Sequence, residues 1–178
     1  MTKEHPVIHN IMTRRSIRSF DPQSPVEEKD LQTLLQCLQA APSAGNLQPW
    51  RFHVVRSAAK KEELCRLSFD QKAVREAPVV FVITAVPHES AVKYGELGAT
   101  FFCLQDTAAA AQNLMLAAHA LDYGSLWVGV VKEREIAAAL QLDAGEKPIA
   151  LIAVGRRAEE PGPYERKSIL SVTTFVDE

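Results

Sequence analysis

The sequence predicts a fold of α/β or α+β class, with a mixed central β-sheet covered on both faces and flanked by helices. Three observations predict it. Pro78–Ala85 (PVVFVITA) and Pro148–Val154 (PIALIAV) are apolar on both faces, the mark of central strands covered from two sides. Strand and helix patterns alternate along the chain. Glu96–Tyr123 is the longest periodic stretch and is apolar nearly all round. At 1.5 Å per residue it would span about 40 Å. One chain of 178 residues can hardly cover such a helix, so a second subunit is its expected cover.

The elements follow in order. Val7, Ile8, Ile11 and Met12 have helical spacing and predict a short helix before the Arg14–Arg18 run. Ser24-Pro25-Val26-Glu27 reads as a capping box, opening a helix whose apolar face is Leu31, Leu34, Leu35 and Leu38. That helix should reach about Ala41, where Pro42 discourages continuation. Trp50–Arg56 alternates as a strand, and Ser57 caps a helix bearing Leu64, Leu67 and Phe69. After the strand to Ala85, Val86–Gly95 reads as a brief connection into the long helix, with Gly124 as its C′ residue. Ser125–Val131 reads as a buried strand, Lys132–Leu142 as an amphipathic helix and Pro148–Val154 as the last central strand. Beyond Arg156 the tail is polar and contains proline. No repeat or low-complexity segment interrupts the chain, which predicts one domain over residues 1–178.

Composition narrows the function. The chain is 47% hydrophobic and 24% charged with a net charge of -2, values of a soluble globular protein without the basic excess that nucleic acid demands. The N-terminus lacks a signal-peptide core, and no apolar run is long enough to span a bilayer. Cys37, Cys65 and Cys103 have no metal or CxxC spacing. They read as buried structural thiols, which suits a reducing cytoplasm.

Two segments carry the chemistry. Ala41–Trp50 (APSAGNLQPW) brackets small residues between prolines. Pro42, Ser43, Ala44 and Gly45 allow close backbone approach to a ligand, while Asn46 and Gln48 each offer an amide donor and acceptor suited to a heterocycle edge. Upstream stands Arg14-Arg15-Ser16-Ile17-Arg18. In an extended segment Arg14, Ser16 and Arg18 share one side, and three such donors suit a terminal phosphate. Arg166, followed by Lys167, could return from the tail to the same phosphate; Lys72 is a weaker candidate. There is no GxGxxG, Walker or GxSxG motif, and His5, His9, His53, His88 and His119 show no ligand spacing. Phosphate grips without an evident acid, base or metal suit a cofactor that brings its own reactivity.

These segments, with Asp106–Ala118, Gly124–Gly129 and Val154-Gly155-Arg156, resemble in order and spacing the nitroreductase family of FMN-dependent oxidoreductases. The resemblance implies an α+β homodimer with FMN at the subunit interface and the long helix in the dimer core. It places Arg14, Ser16, Arg18 and Arg166 on the flavin phosphate with Arg15 beside them. It also places the Pro42–Gln48 loop against the flavin from the other subunit. Leu126, Trp127, Val128 and Gly129 would face the ring with their backbone, where an amide would donate to flavin N5. The implied activity is ping-pong reduction of nitroaromatics, quinones or similar small acceptors with NAD(P)H as co-substrate. Reductive dehalogenation, dehydrogenation of a metabolite, and a non-enzymatic flavin-binding redox sensor are the alternatives. The short Val86–Gly95 connection implies a compact subgroup with a more open pocket.

Overall fold

A computed structural model describes residues 5–129 and 132–177. Four strands form one sheet in the order β1-β2-β4-β3: β1 is Trp50–Val55, β2 Val79–Ala85, β3 Gly124–Val128 and β4 Lys147–Gly155. All three ladders are antiparallel. The mixed character expected of the sheet is confined to one parallel bridge, between Ser16 and Ser125. In the centre Phe81 faces Ile152 and Val82 faces Leu151 across the register. Alternation then sends Phe81, Ile83, Ile152 and Val154 into one core and Val80, Val82, Leu151 and Ala153 into the other. All of these side chains belong to β2 or β4, strands buried along nearly their whole length, which is why their sequence is apolar on both faces.

Helices α2 (Glu28–Gln39) and α6 (Cys103–Ala120) cover the first face through Leu31, Leu34, Leu38 and Leu114. Helices α3 (Ala58–Leu67), α4 (Lys72–Glu76) and α7 (Glu133–Leu140) cover the second through Leu64, Val74 and Ile136. Ser57 caps α3 by accepting from the Lys60 amide. Lys72 is the first residue of α4, ahead of β2. Helix α1 (Pro6–Thr13) leaves Val7, Ile8, Ile11 and Met12 more than half exposed in the single chain.

The start of α2 differs from the capping box. Ser24 Oγ donates instead to Asp21 Oδ2 at 2.6 Å, holding a turn. The helix begins after Glu27, whose amide donates to Tyr123 Oη at 3.3 Å, and that hydroxyl donates to Asp30 Oδ2 at 2.8 Å. A residue far along the chain thus satisfies the helix entrance.

The long helix is also modified. Val86–Gly95 is not a bare connection: Pro87 starts α5 (Pro87–Leu97). Gly95, at φ 56° and ψ -139°, breaks the helical path. The run resumes through a π-helical turn, Gly98–Phe102, and continues without interruption into α6. Within one chain α6 is buried along one face only. Ala108 and Leu116, turned away from that face, are only partly covered. Gly124 is not the C′ residue. Asp122 takes the left-handed conformation (φ 61°), and Gly124 starts β3. Val130 and Val131, assigned from the sequence to that strand, lie outside the described residues. No described helix is long and apolar enough to cross a membrane.

Candidate functional site

After α1 the chain leaves the helix and runs extended from Arg14 to Phe20. Ile17, buried at 3% exposure, anchors this segment. Its amide donates to the Ser125 carbonyl at 3.0 Å. Gly124 makes the approach possible: a Cβ there would lie 2.8–2.9 Å from three carbon atoms of Ile17. With Ile17 turned inward, alternation turns Arg14, Ser16 and Arg18 the other way, as the sequence spacing predicts.

The tail closes the second wall. The Asp21 amide donates to Arg156 O at 2.9 Å and the Ala158 amide to Ser19 O at 3.0 Å. Glu159 Oε1 accepts from the amides of Arg18 (2.5 Å) and Ser19 (3.1 Å). Between the two walls lies a cleft of about 460 Å³, lined by Arg14, Arg15, Ser16 and Arg18 from one side and by residues 159–166 from the other, Arg166 among them. The structure therefore brings Arg14, Ser16, Arg18 and Arg166, from the two ends of the chain, into one cleft with Arg15 beside them. Lys72 and Lys167 do not line the cleft.

Four arginines (Arg14, Arg15, Arg18 and Arg166) and three glutamates (Glu159, Glu160 and Glu165) line the cleft, so its electrostatics depend on what engages each. The ion-paired arginines among the described residues are Arg51, Arg56, Arg75 and Arg157, none of which lines it. Glu159 is engaged by backbone amides and Glu160 by Arg157. Burial, then repulsion from Arg166 and Arg15, pushes the Arg14 guanidinium below its ordinary value. Arginine stays charged through such a shift, so the cations are gathered against their own repulsion. A phosphate ester fits this donor set, since it would offer acceptors to the forks of Arg14, Arg18 and Arg166 and to the Ser16 hydroxyl.

A second, larger cavity of about 810 Å³ adjoins the cleft and shares Arg14, Arg15 and Pro161 with it. Its walls include α1, Leu116, His119 and Gly124-Ser125. His119 is satisfied there. Thr13 Oγ1 donates to His9 O at 2.7 Å, so the His119 Nε2–H donates to Thr13 at 2.9 Å. Burial first, then Arg14 and Arg157, lowers the His119 pKa and favours this neutral form.

Strand β3 lies at the sheet edge beside the Arg14–Arg18 segment. Leu126 and Val128 point their side chains into the core, and Trp127 packs against the opposite core. Leu126 and Val128 can therefore meet a ligand only through their backbone, whereas the Trp127 side chain is partly exposed. The Ser125 carbonyl points away from β4 to Ile17, so by alternation the N–H and C=O of Trp127 also point outward from the sheet. Gly129 follows, exposed.

The Pro42–Gln48 loop lines neither cavity of the single chain. It is tightly built: Gly45, Asn46 and Gln48 all have positive φ, and Ser43 Oγ accepts from the Gln48 amide at 3.0 Å. Gln48 Nε2 donates to Asn46 O at 3.1 Å, while Asn46 itself is exposed. Sequence reasoning missed what holds this loop. Asp106 of α6, only 6% exposed, accepts from the Ala44 amide at 3.0 Å. Burial raises its carboxyl above the usual range, and Oδ2 has no partner among the described residues. A lone acid in the apolar run of α6 was the available signal. The cysteines are free. Cys65 and Cys103 are buried, with thiols pushed up by burial, and Cys37 is half-buried.

A family model described as "Nitroreductase family" matches residues 11–73 and 67–156. An Archaeoglobus fulgidus protein named "Putative NADH dehydrogenase/NAD(P)H nitroreductase" is 34% identical over 159 residues, covering 87% of each chain. The 5,6-dimethylbenzimidazole synthase of Rhodospirillum rubrum is 29% identical, covering 84% of this chain and 82% of its own. Among solved structures, the NfrA1 nitroreductase of B. subtilis is 27% identical and superposes with a TM-score of 0.86, over 94% of this chain and 73% of the other.

Proposed function

This chain belongs to the nitroreductase family, and we propose that it is an FMN-dependent oxidoreductase that uses NAD(P)H to reduce nitroaromatics, quinones or similar small acceptors. The observation that carries the proposal is the cleft lined by Arg14, Ser16, Arg18 and Arg166, whose guanidiniums have no carboxylate ion pair among the described residues. FMN held there would supply the redox chemistry that links NAD(P)H to the acceptor. The chain's share is binding, orientation and exclusion of water. Arg14, Ser16, Arg18 and Arg166 would hold the phosphate. The outward backbone of Trp127 and Gly129 would meet the ring, an N–H there favouring its reduced state.

The site is completed by a second copy. The Pro42–Gln48 loop stands away from the cleft of its own chain, α1 exposes an apolar face, and the outer side of α6 is only partly covered. A homodimer in which each loop, with Asn46 and Gln48, reaches the partner's flavin accounts for all three. We read the whole chain as one such domain, working in the cytoplasm, where its free thiols stay reduced.

The test is direct. The purified protein should carry FMN rather than FAD, and NAD(P)H turnover should give parallel double-reciprocal lines because both substrates use one site in turn. Colourless protein that does not take up added FMN would sink the proposal; intersecting lines would overturn the shared site. A relative named for synthesis of 5,6-dimethylbenzimidazole favours a second reading, in which the fold serves another flavin reaction. Reoxidation of the reduced protein by nitro compounds, quinones or halogenated phenols separates the two. Failure of all three would favour the second, or a flavin-binding sensor.

A further inference from the structure

Arg166 stands in the cleft against the repulsion of Arg14, and something must hold it there. The tail is fastened to the Arg18–Asp21 segment only as far as Glu159, by the bonds at Arg156, Ala158 and the Glu159 carboxylate. Past that point come Pro161-Gly162-Pro163, and residues 161–167 make no hydrogen bond to the body of the chain among the described residues. A ring contact joins this stretch to the body of the chain. The Tyr164 ring has the Arg15 guanidinium 3.8 Å from its centroid and the Arg166 guanidinium 4.8 Å from it. Both lie inside the range of cation–π attraction.

Arg15 is fixed from behind. Its Nη1 donates to the carbonyls of Met12 and Arg14, both at 3.0 Å, so the guanidinium plane is set by the end of α1. We infer that Tyr164 is the positioning residue of the anion cleft: its ring docks the tail on Arg15 and presents Arg166 to the phosphate. Arg15 is then a platform for the tail rather than a phosphate ligand, and the cleft is assembled by stacking across two chain ends. The ring face does this work, so the hydroxyl is dispensable.

The inference rests on the reading of this cleft as the FMN phosphate site, and its test separates the two. FMN and riboflavin are titrated into apo-protein of wild type, Tyr164→Phe, Tyr164→Leu, Arg166→Ala and the Tyr164→Leu/Arg166→Ala double variant. Tyr164 is 42% exposed, so the variants should fold, which circular dichroism checks. Tyr164→Leu should lose about five- to tenfold in FMN affinity, the scale of two exposed cation–π contacts. Riboflavin, which has no phosphate, should bind all variants alike. Tyr164→Phe should stay within about twofold of wild type, and the double variant should be no weaker than Arg166→Ala. Unchanged FMN affinity in Tyr164→Leu, equal losses for both flavins, or additive losses in the double variant would overturn the role of Tyr164 while leaving the cofactor assignment intact. Wild type that binds neither flavin would overturn the cofactor assignment and this role together.

Discussion

Replacing Gly124 by alanine should separate the contribution of the Arg14–Arg18 segment from that of the remaining cleft. The added Cβ would meet Ile17 Cβ at 2.8 Å, Cγ1 at 2.8 Å and Cγ2 at 2.9 Å. Ile17 is 3% exposed and its amide is tied to Ser125 O, so it has nowhere to retreat without moving its backbone. Overpacking of this kind costs about 1–3 kcal/mol. At about 2–4 °C per kcal/mol for a chain of this size, the melting temperature should fall by roughly 2–12 °C. Moving Ile17 outward also moves Arg14, Ser16 and Arg18, its neighbours on the extended segment. Flavin affinity should therefore fall about tenfold or more, equivalent to about 1.4 kcal/mol or more. Thermal denaturation and flavin titration read the two effects separately. Pairing Gly124→Ala with Ile17→Ala should restore part of the affinity, because it removes the Cγ1 and Cγ2 contacts and leaves the one at Cβ. Unchanged melting and unchanged affinity would refute the close approach. Lost stability with undiminished affinity would refute its coupling to the cleft.

Arg18→Ala should weaken FMN binding about ten- to a hundredfold, the worth of a charged hydrogen bond of roughly 1.5–3 kcal/mol, whereas Lys167→Ala, outside the cleft, should change it little in the same titration. Leu116→Asp should break the dimer and release flavin in gel filtration. Leu114, fully buried in its own chain's core, should unfold the subunit instead when so changed. Replacing all three cysteines by alanine should leave the rate of flavin reduction, followed by stopped-flow, within a few-fold of wild type. Burial raises the Glu146 carboxyl, but hydrogen bonds from Thr84 (2.6 Å) and His53 (2.7 Å) outweigh it and hold the pKa below its ordinary value. That stability is present above the unfolded value and lost as pH falls through the folded one. Urea midpoints measured from pH 7 into the acid range should fall less steeply for Glu146→Gln, and equal slopes would count against the pairing.

Central strands β2 and β4 were legible because burial on both faces leaves a continuous apolar run. The Arg14–Arg18 segment was legible because alternation in an extended chain is a local property, and the cleft follows from it. What was illegible depends on residues distant in sequence. Tyr123 serves the entrance of α2, so the local capping box at Ser24 was a false signal. Asp106 holds the Ala44 amide from another element. Gly124 looked like a helix terminator because its real constraint, Ile17, cannot be seen from its neighbours. Gly95 could be read as a loop end but not as a kink between two helical runs, since glycine permits both.

The outward backbone of β3 has a bearing on solubility. Among the described residues, Ser16 bridges the strand edge at Ser125 and no further strand pairs with the edge at Trp127. An uncovered row of amides and carbonyls is a template for any extended segment that meets it. Whatever occupies the adjoining groove also shields that edge. Protein stripped of its ligand should then be the form that clumps during purification, and supplying flavin in the buffer should protect the yield as well as the activity.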